Sequence, residues 1–231
     1  MSTAKRIGAA LAPKVTQIAP NLSAAFVHQA LAKAITGVGP LPGAAAAADK
    51  QLAQNDGDLV RATHDVIENH VRYAAAQGFL TNLGGLVTMA VTVPANITGL
   101  ALIQCRMAAG IVHLRGYDLD DPRTRAAILA CLLGEERMLA MVKKSELPGT
   151  PMEIAESTTY ARTLDVVLAN EVASELITRA AGKRVATQVG RRVPVVGGAV
   201  GAGTDAFTTW RVGRYVEREF LPPAQSPRKR R

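Results

Sequence analysis

Residues 74–105 read AAAQGFLTNLGGLVTMAVTVPANITGLALIQC, and no side chain in this run carries a charge. Arg72 stands before it and Arg106 directly after it. A stretch this long without an ionisable group has to leave water, either among neighbouring helices or in lipid. It carries Gly84, Gly85 and Gly99, with Pro94 near its middle. Proline inside a helix costs roughly 3 kcal/mol but is welcome in the first turn. The run therefore predicts two helices, about 80–93 and 95–115, with Gly116 as the stop of the second.

Toward the N-terminus, Phe26, Val27, Ala30, Leu31, Ala34 and Ile35 repeat at helical spacing from Ser23 to Thr36. Gly37 ends that stripe, and Gly39-Pro40-Leu41-Pro42-Gly43 reads as a turn. An alanine-rich helix follows through Gln54. Asp56 is placed to cap the next helix and Gly78 to end it. Toward the C-terminus, Asp121-Pro122 is a cap followed by proline at the first helical position, and that helix reaches Leu133. Glu135 to Lys144 continues helically. Thr150 and Glu153 match a capping box, from which helical periodicity runs past Ala180, aided by the Glu175/Arg179 spacing. Pro194 opens a last helix that finishes near Phe220, before Pro222 and Pro223.

Composition agrees with this pattern. Apolar residues make up 48% of the 231, but aromatics only 4%, so the core is built from Ala, Val, Leu and Ile. Small residues and good helix formers favour a tight bundle over a sandwich or barrel. The expected architecture is all-α: one multi-helix bundle around two uncharged Gly/Ala-rich segments. Its parts are a partly helical extension at 1–20, a helical domain at 21–221 and a disordered basic tail at 222–231.

The formal charge is +8 and is unevenly placed. Arg228, Lys229, Arg230 and Arg231 close the chain, and Lys183, Arg184, Arg191 and Arg192 fall within ten residues of each other. Such clusters attract an anionic membrane face or nucleic acid; scarce aromatics argue against base stacking and so against the latter. Each Lys or Arg near an anionic leaflet is worth about 1 kcal/mol, so the tail tethers but does not anchor alone. Cys105 and Cys131 sit in apolar helical contexts and read as small core residues in a reducing compartment. Lys5 and Arg6 precede an apolar run that Pro13 and Lys14 interrupt, which is not a secretory signal. The expected location is cytoplasmic, peripheral at the inner face of the cell membrane.

An ordered set of landmarks resembles the EcsC family of bacterial proteins. The matching pieces are Ala75-Ala76-Gln77-Gly78-Phe79-Leu80, Gly84-Gly85-Leu86, Pro94, Gln104-Cys105-Arg106 and Leu114-Arg115-Gly116-Tyr117-Asp118-Leu119 with Asp121-Pro122. Leu132-Leu133-Gly134 and Val193-Pro194-Val195-Val196-Gly197-Gly198 complete it, over roughly residues 20 to 220. The family takes its name from a component encoded beside the subunits of an ABC transporter. The resemblance implies a helical, membrane-associated accessory protein and supplies no reaction, catalytic residue or cofactor.

Each candidate site has a structural reading beside a functional one. Leu83 to Ile103 has the length of a membrane span, but Pro94, Asn96, the glycines and Arg106 weaken it, so a buried helix pair is favoured over a re-entrant hairpin. Gly197 and Gly201 have the spacing that lets helices touch backbone to backbone, here against the Gly84–Gly99 region. His64, Asp65, Glu68 and His70 lack the matched second set of a helical metal site, and no metal is expected. Arg106, inside an apolar helix, needs an acid, with Asp118, Asp65 or Glu68 as candidates; the sharper reading is an anion or lipid-headgroup site.

No G-x-S-x-G elbow, phosphate-binding P-loop, C-x-x-C pair or H-E-x-x-H occurs, and Gly201-Ala202-Gly203 lacks the rest of a dinucleotide fingerprint. The favoured function is a non-enzymatic accessory protein at the cytoplasmic membrane face, beside a transporter. The rivals are a hydrolase-type helical enzyme, with Arg106, His113 and Asp118 as the constellation to inspect, and a nucleic-acid-binding protein.

Overall fold

In a computed structural model, residues 23–83, 89–189 and 194–221 are described, with side chains described over 23–80, 97–179 and 199–221. Ser23 starts the first helix, α1 (Ala24–Thr36), by accepting the Phe26 N–H at 3.4 Å, and Val27, Ala30, Leu31 and Ala34 are buried. Gly37, at φ +96°, ends it; a β-carbon there would lie 2.6 Å from the Leu41 carbonyl oxygen. The turn that follows closes as a minimal antiparallel ladder, β1 (Gly37–Val38) with β2 (Leu41–Pro42), the one pairing of strands among the described residues. The remainder is helical: α2 (Ala44–Gln54), α3 (Leu59–Leu83), α4 (Met89–Leu114), α5 (Pro122–Leu132), α6 (Glu135–Lys143), α7 (Pro151–Glu156), α8 (Arg162–Val189) and α9 (Pro194–Glu219). The all-α bundle is what the sequence predicts.

Local chemistry explains most boundaries. The Asp121 carboxylate caps α5 by accepting the Arg123 N–H at 2.8 Å, and Thr150 and Glu153 form the reciprocal capping box of α7. Several expectations need correction. The cap of α3 is Asp58, which accepts the Val60 and Arg61 N–H groups at 2.9 and 3.0 Å; Asp56 instead takes a left-handed turn conformation at φ +52°. Gly78 does not end α3, because a flanking helix needs its missing side chain.

Pro94 does not separate two helices. It lies in the second turn of α4, where its absent N–H forfeits one backbone bond while the helix continues. Gly84 and Gly85 lie outside the described residues. The helix predicted from Thr150 past Ala180 is two: α7 stops at Glu156, and the Ser157 hydroxyl donates to the Thr159 carbonyl at 2.8 Å, so local side-chain bonding replaces a helical turn before α8.

The core centres on α5 and the C-terminal half of α4. Every residue from Ala126 to Leu133 is buried, as are Met107 to Val112, so both segments are apolar all round where other helices surround them. Cys105 and Cys131 are free and buried there; burial pushes the Cys105 thiol up to about 12, which leaves it an inert small apolar group.

A three-helix unit of α3, α4 and α9 runs alongside. An ideal β-carbon on Gly78 would sit 2.8 Å from the Gly201 carbonyl and 2.5 Å from Asp205 Oδ2, while one on Gly213 would sit 3.1 Å from Ile67 and 3.0 Å from Met107. These pairs make α3 and α9 antiparallel. One on Gly99 would sit 2.5 Å from Gln77 Oε1, and Gln104 donates to Thr209 at 3.3 Å, so α4 is antiparallel to α3 and parallel to α9. Close packing of Gly201 is therefore observed against Gly78, because the antiparallel register brings the start of α9 to the last turns of α3, while most of the expected Gly84–Gly99 region lies outside the described side chains. The described part of the uncharged run is half covered: Ile97, Leu100 and Ala101 are buried, whereas Thr98 is exposed.

His70 is the least expected buried group. Its Nδ1 lies 2.7 Å from the Val66 carbonyl, which can only accept, so the neutral ring carries its proton on Nδ1. Its Nε2 is buried without a hydrogen-bond partner among the described residues. Burial, with a smaller push from the nearby Arg106 charge, lowers its pKa to about 4, against the Val66 bond.

Two predictions follow from this packing. Gly78→Ala should lower stability by about 2 kcal/mol, because the clash is with a backbone carbonyl that cannot rotate away. Gly203→Ala, where a β-carbon meets nothing within 4 Å, should instead raise stability by up to about 1 kcal/mol; chemical denaturation of the pair checks the contrast. For His70, the unfolded chain binds the proton first, so the stability is fully present above the ordinary pKa of 6.5 and is lost as pH falls toward about 4. The loss at pH 4 is roughly 3 kcal/mol, and thermal melts from pH 7.5 to 4 should show a shallower decline in His70→Leu.

Candidate functional site

The register of the three-helix unit aligns features that lie far apart in sequence. It carries Tyr73 of α3 to the level of Ile103 on α4 and Phe207 on α9. On one side of that level α3, α4 and α9 bear no exposed charge among the described side chains. Beyond Arg72, α3 has none; before Arg106, α4 has none; before Arg211, α9 has only Asp205, which is 3% exposed. Arg72, Arg106 and Arg211 thus mark a common boundary on three helices. The charge-free end spans Tyr73 to Leu83 on α3, about 15 Å at about 1.5 Å per residue.

The aromatic residues sort along the same line. The chain has nine, and four of them are exposed: Tyr73, Phe79, Phe207 and Trp210. All four lie at or beyond the boundary. Phe207 and Trp210 stack with ring centroids 6.2 Å apart, and Leu80, 68% exposed, projects from the same end of α3. Folding hides the other five aromatics wholly or partly. An end rich in exposed rings, free of charge and rimmed by arginine has the layout of a side chain belt at a lipid–water interface.

At the boundary, Arg106 is half-buried and lies near Tyr73 and the buried His70. Desolvation lowers its pKa, while the nearby Tyr73 raises it. None of the expected acids reaches it. Asp65 accepts from Asn55 at 2.7 Å, Glu68 pairs with Arg72 at 3.1 Å and Asp118 accepts the Asp120 N–H at 2.8 Å. Arg106 has no ion pair among the described residues, so the expected structural pair is corrected: its charge is left to solvent at the rim rather than consumed in the core.

Several charges below the boundary pair with one another. Glu217, 12% exposed, lies 3.3 Å from His64, 4.0 Å from Arg115 and in contact with Arg214, linking α3 and α9 to the end of α4. His113 pairs with Asp49 at 2.7 Å, so Arg106, His113 and Asp118 each turn to different neighbours and form no shared constellation. His64, Asp65, Glu68 and His70 likewise diverge, and no three candidate metal ligands converge among the described residues.

Lys183 and Arg184 fall within α8, but their side chains lie outside those described; Arg191, Arg192, Arg228, Lys229, Arg230 and Arg231 lie outside the described residues altogether. The side chains of Pro94 and Gly197 positions are outside as well. Sequence reasoning missed Tyr73, Phe207 and Trp210. The signal for Phe207 was present in α9, where Val200, Thr204, Phe207, Arg211, Arg214 and Arg218 recur at helical spacing on one face.

Among the described residues one helical window, Ile97–Leu114, has the length and mean hydropathy (1.5) of a membrane span, and 67% of it is buried within the fold, as in the core helix of a bundle. Comparison with curated proteins and with solved structures finds no match. The family model of the EcsC protein family matches residues 2–220. That match covers nearly the whole helical domain described above, and the chain belongs to the EcsC protein family.

Proposed function

We propose that this chain is a non-enzymatic accessory protein that docks peripherally on the cytoplasmic face of the membrane by the charge-free end of α3, α4 and α9. The observation that supports this reading most is the segregation of all four exposed aromatics to that end. Rings with polar tips, such as Tyr73 and Trp210, are favoured where one side is apolar and the other wet. The expected partner is a membrane protein, with a transporter the one suggested by the resemblance.

Magnitudes support reversible docking. Covering five half-exposed side chains at about 1 kcal/mol each, with about 4 kcal/mol from the four terminal cations, gives roughly 9 kcal/mol, the scale of micromolar binding. Neither contribution would hold the protein alone. Asp205, the one buried charge at this end among the described side chains, sits on the inner face of α9 and does not oppose shallow insertion.

Vesicle co-sedimentation at low salt tests the proposal. Phe207→Ser with Leu80→Ser should weaken binding to vesicles containing phosphatidylglycerol by at least about tenfold. Leu139→Ser, at a site 52% exposed on α6, should change nothing. Equal binding by all three proteins would refute docking by this end.

A further inference from the structure

The start of α2 lies one turn below Arg106. A β-carbon on Gly110 would be 3.5 Å from Ala48 and from Val66 and 3.7 Å from the Ala44 carbonyl oxygen, and Asp49 reaches His113 at 2.7 Å. So α2 runs in the direction of α4, away from the charge-free end, and its first turn is level with Gly110 and Val66. Arg106 stands four residues before Gly110, and His70 four residues after Val66. Residues four apart share a helix face, so both lie on the faces that meet α2, just past its first residue.

Unmet hydrogen-bonding capacity of three kinds meets there. Gly43 holds the cap position of α2 without a side chain, and the first turn contains no acid. The first backbone bond of α2 among the described residues runs from the Ala47 N–H to the Gly43 carbonyl at 3.1 Å, which leaves the N–H groups of Ala44, Ala45 and Ala46 over. A helix start in this state offers donors and partial positive charge. Arg106, half-buried beside Tyr73, has no acid partner among the described residues. His70, only 7% exposed, turns its Nδ1 back along α3 to the Val66 carbonyl. The two ring nitrogens point nearly opposite ways, so Nε2 faces the level of Arg106 and Tyr73. There it is an acceptor, buried and without a partner among the described residues.

From this arrangement we propose that Arg106 and the N-terminus of α2 hold the phosphate of an anionic lipid headgroup, while His70 accepts a hydrogen bond from a hydroxyl on that headgroup. Backbone N–H groups and a guanidinium only donate, so they select an anion, and a tetrahedral phosphate can face both at once. The lone pair on Nε2 adds a second demand: the ligand must bring a donor beside its negative charge. Phosphatidylglycerol has both, a phosphate monoanion and a glycerol hydroxyl, whereas a plain dialkyl phosphate has only the first. Arg106 and the 57% exposed Tyr73 stand at the charge boundary, where headgroups lie once the charge-free end enters a bilayer. The inference rests on the proposed docking and names the lipid chemistry that the docked protein selects.

Phosphatidylcholine vesicles carrying either phosphatidylglycerol or dihexadecyl phosphate present equal charge, with and without the hydroxyl. Co-sedimentation of the full-length protein at constant ionic strength compares three variants that each lower the net charge by one: Arg106→Gln, Ala46→Glu and Arg72→Gln. Ala46 is exposed in the first turn of α2, so a glutamate there favours the helix yet repels a phosphate. Arg72 is exposed and already paired with Glu68. Circular dichroism checks each fold. Arg106→Gln and Ala46→Glu should each weaken binding to phosphatidylglycerol vesicles at least about tenfold, and Arg72→Gln far less. His70→Leu should keep the affinity for dihexadecyl phosphate vesicles and lose the preference for phosphatidylglycerol, which a packing role alone would not change. Equal effects of the three charge changes overturn the site and leave docking standing. Equal affinity of the unaltered protein for the two vesicles overturns the bond to His70. Titration with glycerophosphoglycerol, read at the Ala44 to Ala46 amide resonances, probes the site without a membrane. A saturable shift there, lost in Arg106→Gln, with no binding to any vesicle supports the site and removes the docking; no shift and no vesicle binding overturns both.

Discussion

The contact on which this arrangement depends is the approach of α9 to α3 at Gly78. Without a β-carbon there, the backbone of Gly201 and the carboxylate of Asp205 come close enough to fix the two helices in one antiparallel register. Gly213 repeats the device against Ile67 and Met107, about three turns along the same interface. Two such points allow neither sliding nor rotation, since either would drive side chains into backbone. The level of every residue on the three-helix unit follows from them.

That register separates the molecule into a charged half and an uncharged half. In the charged half, Glu217 gathers His64, Arg115 and Arg214 from three helices, an arrangement tolerable in a semi-buried position because opposite charges offset desolvation. In the other half, Gln104 donates to Thr209 inside the unit, and His70 stays unprotonated because its surroundings exclude water. Arg106 lies between the halves with its charge uncompensated by any acid among the described residues.

The proposed docking end is bounded on α9 by Trp210 and Arg211. An anionic surface would present apolar chains to Phe79, Leu80 and Phe207 and headgroups to Arg211 and Arg218, a depth order that matches the order of side chains along α9.

How much was legible beforehand depended on the range of the interaction. Ser23, Asp121 and the Thr150/Glu153 pair act within one helical turn, so their caps were readable from residue type and spacing. Asp58 in place of Asp56, the break after Glu156 and the passage of α4 through Pro94 turn on backbone geometry that spacing alone does not reveal. The bundle class and the need to hide residues 74–105 were determined by the sequence itself, because apolar periodicity and missing charge act wherever the chain goes. Only the tertiary structure decided that α5 is the buried centre, that Tyr73 is level with Phe207, and that arginines from three helices face one cleft. Those relations exist between residues distant in sequence, and the physical agent that creates them is close helix packing, which no local pattern encodes.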